Sequence, residues 1–328
     1  MNLPDRIVVP DDAQPDRADR ILVDCIRGEV SRSSMARLIR LGRALLNGRP
    51  IRPSTVLNPG DQVEIVQVAE PESLPEPQHV PAFVILHEDP DLIVVDKPAG
   101  LVVHPGAGRP AATLMDELVA TRPEMVGVGD PGRWGVVHRL DRDTSGVLVL
   151  AKTSAAHAVL CAQFKEHTVH RIYLALVRGT PGEDSGIVAA PLGRHARDRK
   201  RISISATRSR PAVTRWRVMR RYGSISLLEV TPETGRTHQI RVHLASVGLP
   251  VLGDQIYGKP RRSGRVTDPA MRKALSLLKR QALHAAVLGF KHPRDLQYVE
   301  FSSPVASDMA SAIKMCLETP PSWENVQE

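Results

Sequence analysis

The stretch "EPESLPEPQHVPA", residues 70–82, limits how this chain can fold more than any other segment. It holds four prolines and three glutamates and no apolar period. Proline fixes φ and lacks an N–H, so neither a helix interior nor a central sheet ladder can run through it. The segment reads as a stiff, exposed linker of polyproline character. It divides the 328 residues into two modules. The first covers residues 17–69, after a tail of residues 1–16. The second covers residues 83–310, before a tail of residues 311–328. Both modules are large enough to hold a core of their own.

In the first module, "RADRILVDCIRGEVSRSSMARLIRLGRALLNGRP" reads as two helices. Ile21, Leu22, Cys25 and Ile26 share one face of the first. The second begins at "SRSS", with Ser31 or Ser33 as cap, and buries Met35, Leu38 and Ile39. "RALLNGRPI" is a hairpin around Asn47-Gly48, and "NPGDQVEI" adds a turn and a strand. Nine arginines, no lysine and three acids lie between Arg17 and Arg52. Arg32, Arg37, Arg40 and Arg43 cluster on or after the second helix. A solvated helix face would be the plain explanation, but so dense an arginine set favours phosphate contact.

The second module alternates apolar runs with turns. "DLIVVDKPAGLVVHPG" reads as strand, turn and strand, and "WGVVHRLDRDTSGVLVLAKT" as two strands around a charged insert. "RIYLALVRG" and "SISLLEVTPE" are further strands. "AAHAVLCAQFKEHT" is a helix with Ala158, Cys161 and Phe164 inward. "THQIRVHLASVG" is a helix capped by Thr237 and ended by Gly248. Strands outnumber helices and the turns are short, so the expected class is α+β with a mixed, largely antiparallel sheet, beside a small α/β module.

The chain carries 44 Lys and Arg against 36 Asp and Glu, a net charge of +8, which points to an anionic partner. Between Arg194 and Arg221 eleven basic residues face one acid, Asp198, and Arg199, Lys200 and Arg201 form its densest run. That is the composition of a nucleic-acid-binding arm, although charged edge strands that resist aggregation look similar. Acids and prolines near the N-terminus do not fit a signal peptide, and no apolar run reaches about 18 residues. Cys25, Cys161 and Cys316 are odd in number and far apart. A soluble, cytoplasmic protein with no membrane partner is expected.

The chemistry centres on "HRLDRDTSG". Asp143-Thr144-Ser145-Gly146 has the residues of an ordinary turn. Asp141 does not belong to that turn, and it is either a structural ion pair or a fixed anion able to act as nucleophile or base. Arg241 falls on the apolar face of the "THQIRVHL" helix, where an unpaired guanidinium would be very costly. Asp141 is its natural partner. Arg236 and Arg241 could otherwise meet only solvent or phosphate. No phosphate loop and no metal-type His-Glu helix occur.

"DLIVVDKPAGLVVHPG", "GVVHRLDRDTSGVLVLAKT", "RIYLALVRG" and "GRTHQIRVHLASVGLPVLGDQIYG" together resemble the motifs of RluA-type RNA pseudouridine synthases, over residues 83–305. "SRSSMARLI", "GRALLNG" and "NPGDQVEI" resemble an S-four type RNA-binding domain, with Ala18 where that family usually has leucine. The resemblance implies a pseudouridine synthase core and an isomerase that needs no cofactor or metal. It implies Asp141 as the catalytic carboxylate, paired with Arg241. Tyr173 is implied to stack on the uracil and to act as the proposed base at C5. Arg139 would enter the RNA stack when the target nucleotide flips out, and His138 and Arg236 join the RNA-contacting set. The implied partner is 23S rRNA, free or in the large subunit, and the basic hairpin is similar to that of members acting on the helix 69 loop. The protein is expected to be monomeric. Residues 259–281, where the family varies, are expected to bear on target choice. Rival readings are the same chemistry on tRNA or another rRNA site, a non-catalytic ribosome-assembly factor, and a hydrolase using Asp141 and Asp143 as metal ligands.

Overall fold

The structure, a computed structural model, describes residues 5–26, 32–40, 42–66, 83–104, 113–195, 198, 201–204, 206, 208–258 and 269–318. Two compact units result, Met1–Glu76 and Pro77–Glu328. The proline-rich segment, Ser31, and residues 259–268 of the variable stretch lie outside the described residues.

In the first unit, helices Ala18–Cys25 and Arg32–Arg40 share a core with a four-stranded sheet. The strand order is Arg6–Val8, Gln62–Ile65, Ala44–Leu46, Arg49–Pro50. Asn47 and Gly48 take φ of 51° and 73°, the two positive values that a type I′ hairpin requires. Met35 and Ile39 are buried and Leu38 is half-buried, while Cys25 sits at the margin of the core. Residues 6–9, expected to belong to a tail, are part of the fold. Arg6–Val8 pairs with Gln62–Ile65, and the alternation of the strand buries Ile7 and Val9.

The second unit is built on nine strands, numbered here along the chain: β1 Val84–Glu88, β2 Leu92–Lys97, β3 Ser145–Ala151, β4 His170–Arg178, β5 Ser185–Ala189, β6 Val213–Tyr222, β7 Ile225–Pro232, β8 Leu283–Lys291 and β9 Tyr298–Ser302. Their order is β5-β6-β7-β4-β8-β3-β2-β1, with β9 added to β8. All pairings are antiparallel except β8 with β3. Among the described residues five helices pack on it: α1 Leu114–Thr121, α2 Ser154–Lys165, α3 Gln239–Ser246, α4 Pro269–Leu277 and α5 Ser307–Glu318. Through Leu92–Val95 of β2 and Val147–Ala151 of β3 successive residues are apolar and buried, because both faces are covered. Ile93, Val95, Leu148 and Leu150 share a core with α1, and Leu92, Val94, Val147 and Val149 share another with α2.

Several expected details differ. Residues 101–104 form no strand, because the Val102 and Val103 carbonyls accept the N–H groups of Leu114 and Met115 at the start of α1. The strand expected before the charged insert shrinks to one bridge, Val136 to Leu150. Nearby, a side chain replaces the ladder: the Val149 N–H donates to His138 Nε2 at 3.1 Å. The inner face of α2 is Ala156, Leu160 and Gln163, while Ala158 is exposed. Thr237 does not cap α3. His238 occupies the N-cap in the left-handed region, and no side chain caps there. At the other end, Gly248 takes φ 82° as expected of a helix stop. Residues 311–318 are no tail, since α5 runs to Glu318 and buries Met309, Ala312 and Cys316 with α3, α4, β4 and β7.

Candidate active site

The charged insert is bolted to its surroundings from two sides. Lys97, fully buried at the end of β2, donates from Nζ to the carbonyls of Pro98, Leu101 and Arg142 at 2.8, 2.9 and 3.0 Å. Three acceptors match the three protons of an ammonium. Burial nevertheless pushes its pKa down to about 7. From the other side, Arg280 donates to the Asp143 carbonyl at 3.0 Å and to Ser145 Oγ at 3.2 Å, and is itself paired with Asp308. Gly146 closes the insert at φ 114°, where a Cβ would stand 2.1 Å from the Ala285 carbonyl. Only glycine lets β3 approach β8 so closely. The Thr144 N–H donates to the Asp141 carbonyl, which turns the backbone. Leu140 points into the core, and Asp143 pairs outward with Arg142 at 3.0 Å.

Asp141 faces a cleft of about 600 Å³ lined also by His104, Arg139, Phe164, Arg171, Tyr173 and residues 234–241. Arg241 rises from the first turn of α3 and is 4% exposed. Its Nη1 donates to Asp141 Oδ2 at 2.8 Å. Its other edge is held by Asp254, with Nε to Oδ2 at 2.6 Å and Nη2 to Oδ1 at 2.9 Å. Burial alone would lower the arginine's pKa, but Asp254 and then Asp141 raise it, so the cation is permanent. Burial likewise works against an ionised Asp254, and Arg241 overcomes it and lowers the carboxyl's pKa. The Asp254 side chain has no exposure, whereas Asp141 keeps 18%. The buried carboxylate anchors the arginine, and the accessible one is presented to the cleft.

Tyr173 lies on β4 at a register shift, opposite Ala285 where Ile172 is opposite Val287. Such a bulge re-aims side chains, here beside the cleft. Burial pushes the Tyr173 phenol up, Arg171 opposes this, and Asp141 adds to it. Arg171, two residues earlier on the same strand, is buried. It donates through Nη2 to the carbonyls of Pro232 and Glu233 at 3.0 and 3.3 Å, tying down the loop that leads to α3.

Of the residues expected to meet RNA, Arg139 is exposed at the cleft and Arg236 lines it, with Nε on the Pro211 carbonyl at 3.2 Å. His138 is committed inward. Besides its bond from Val149, its ring stacks on Phe164 at 4.4 Å, and burial pushes its pKa down to about 3. That makes it a neutral ring held inward in the wall of the cleft. Arg32 is exposed but bound to Asp19 at 3.0 Å, and Arg43 is half-buried. Arg201 is exposed, 5.8 Å above the Tyr257 ring. Arg199, Lys200 and the side chains of Arg37 and Arg40 lie outside the described residues. In β6, Arg215, Arg217 and Arg221 pair with Glu233, Glu229 and Asp184, so the local excess of charge is smaller than the sequence window implies.

Sequence reasoning missed Asp254, Lys97 and Arg280. Asp254 lies in the quoted "GDQIYG", and the only signal for it was the demand of a buried arginine for acids. The metal-hydrolase reading finds no ligand set. Asp141 and Asp143 are each taken by an arginine, and the described residues contain no group of three or more His, Cys, Asp or Glu suited to a metal. Among the described residues no helix is long and apolar enough to cross a membrane.

Residues 91–246 match the family model described as RNA pseudouridylate synthase. The chain is 42% identical to "Ribosomal large subunit pseudouridine synthase D" of Xanthomonas campestris, over 92% of this chain and 89% of that protein. It is 39% identical to an uncharacterized RNA pseudouridine synthase of Bacillus subtilis, over 94% and 96%. Among solved structures it is similar to human RNA Pseudouridylate Synthase Domain Containing 4, with TM-score 0.58 and 25% identity, over 73% of this chain and 94% of that one.

Proposed function

The chain belongs to the RNA pseudouridylate synthase family and is an isomerase acting on RNA; from that premise we propose that Asp141 is its essential carboxylate and that its target is a uridine of 23S rRNA in the helix 69 loop. The observation that carries the catalytic assignment is the arginine between two acids. Arg241 is fixed by buried Asp254 and holds the accessible Asp141 oriented at the cleft. The relatives' names, which specify the large ribosomal subunit, support the substrate.

The reaction breaks N1–C1′, turns the uracil and joins C5 to C1′; the proton lost from C5 is balanced by one gained at N1. Every atom of the product comes from the substrate, so no co-reactant is called for. A fixed carboxylate can attack C1′ or take the neighbouring sugar proton, and Asp141 suits both. Tyr173 supplies a face for the uracil. Its phenol stands beside the uracil as the base for the C5 proton, with burial raising its pKa. The target must leave its stack to enter the cleft, at a cost of a few kcal/mol. Exposed Arg139 fills the gap, and phosphate contacts from Arg236, Arg201 and an S-four type first unit offset the cost without reading sequence.

The test is pseudouridine mapping of 23S rRNA, by carbodiimide adducts and reverse-transcription stops. Cells lacking the protein are complemented with wild type or Asp141→Asn. Stops in the helix 69 loop should vanish without the protein and return with wild type only. Restoration by Asp141→Asn would refute the catalytic assignment, and stops lost elsewhere would refute the substrate.

A further inference from the structure

His238 has φ 55° and stands at the N-terminus of the helix that bears Arg241. A non-glycine residue keeps that conformation only where its surroundings hold it, and such positions cluster at functional sites. The ring is held through Nδ1, with the Tyr257 hydroxyl 2.9 Å away. That oxygen already accepts the Ile202 N–H at 2.8 Å. A phenol has one proton to give, and among the described residues only His238 Nδ1 is there to take it. If Nδ1 were the donor instead, the phenolic proton would have no acceptor among the described residues. The hydroxyl therefore donates to Nδ1, and the ring proton of the neutral imidazole sits on Nε2.

Nε2 has no partner among the described residues, and His238 lines the cleft with Asp141 and Tyr173. Its ring is close enough to Asp141, Arg241, Asp254 and Arg139 to feel their charges. Burial pushes its pKa down, so near pH 7 it is a hydrogen-bond donor and not an acid. The same loop fixes both cleft groups: the Tyr257 N–H donates to Asp254 Oδ1 at 3.0 Å, and Asp254 holds Arg241.

We infer that His238 is a further catalytic residue, whose Nε2–H donates to a carbonyl oxygen of the target uracil and stabilises the charge that the base takes up when N1–C1′ breaks. The inference rests on the isomerase reading above. The bonding pair leaves with the base and spreads over N1, O2 and O4. The sugar either bonds to Asp141 or gives it a proton. His238 keeps its own proton throughout, and the base is neutral again once C5 has joined C1′ and the C5 proton has passed to N1. A donor that binds the anion more strongly than the neutral base lowers the barrier.

The test is single-turnover conversion of a helix 69 transcript at saturating RNA by the full chain. Loss of one such donor typically costs about 10²–10³-fold in rate. His238→Ala should show a loss of that order with RNA affinity unchanged. His238→Gln, which retains an N–H, should recover part of it. Tyr257→Phe should slow wild type but add nothing to His238→Ala. On RNA with 5-fluorouridine at the target, C5 has no proton to lose, so consumption of the starting nucleotide is read instead of product. Its base bears negative charge more readily, and the His238→Ala deficit should shrink. A wild-type rate for His238→Ala, or equal deficits on the two RNAs, overturns the inference. If His238→Ala does not fold, an unaltered rate for Tyr257→Phe overturns it. If wild type leaves the transcript unconverted, the substrate assignment has failed instead, and the comparison moves to the RNA that mapping identifies.

Discussion

Asp141 and Asp254 share one arginine but occupy different environments, and the difference is measurable. Removing one partner from a buried pair strands a charge and costs about 3–5 kcal/mol. Asp254 has no exposed side-chain surface, so Asp254→Asn should lower stability by roughly that amount and also slow the reaction by loosening Arg241. Asp141 keeps 18% exposure, and Asp141→Asn leaves Arg241 with its bidentate partner. That variant should melt close to wild type while losing all conversion. Thermal denaturation beside single-turnover assays checks both, and equal melting losses would contradict this division. Asp141 and Arg241 were legible because a carboxylate beside a turn and an arginine on an apolar face are each anomalous in sequence. Asp254 was not, because nothing in a chain reveals that a buried guanidinium takes two acids. His238 was hidden for a similar reason: its left-handed backbone follows from its surroundings and not from its residue type.

Apolar runs located the central strands but could not say what their carbonyls would bond. Residues 101–103 look like a strand and instead receive the start of α1, and the edge of β3 that should have met a strand meets His138. The charged insert depends on such non-periodic contacts, above all on Lys97. Its folded pKa is pushed down to about 7 by burial from the ordinary 10.5. Below pH 7 both folded and unfolded chains carry the proton, and the burial cost is present in full. Between about pH 7 and 10.5 the unfolded chain binds more protons, so this residue makes stability rise with pH, by at most about 1.4 kcal/mol per unit. Lys97→Met removes that rise. The stability of wild type relative to the variant, from urea melts at pH 7, 8 and 9, should increase with pH, and a flat difference would count against a depressed lysine. Gly146→Ala tests the other side of the insert. Its Cβ would meet the Ala285 carbonyl at 2.1 Å, so β3 and β8 must separate, and a loss of several kcal/mol or outright misfolding is expected.

The two units have separate cores, Ile7, Leu22, Met35 and Val63 in the first and the nine-stranded sheet with its helices in the second. The charge that marks the chain as an RNA partner is shared unequally between them. In the second unit acids outside the counted window neutralise part of the arginine run, through Arg215–Glu233, Arg217–Glu229 and Arg221–Asp184, which a window along the sequence cannot register. In the first, nine arginines face three acids between Arg17 and Arg52, and of these Asp19 engages Arg17 and Arg32. If the first unit supplies phosphate contacts and no chemistry, removing residues 1–82 should change binding and spare the catalytic step. RNA affinity should fall and its dependence on salt should weaken, since each lost phosphate contact flattens the slope of log K against log salt by about 0.7 on single-stranded RNA. The rate at saturating RNA should stay within a few-fold of the full chain, because Asp141, Arg241 and Asp254 all lie in the second unit. Fluorescence-anisotropy titrations across a salt series, paired with single-turnover rates, separate the two quantities. An unchanged salt slope would take the RNA-binding role away from the first unit, whereas a lost rate at saturation would mean that it also shapes the cleft.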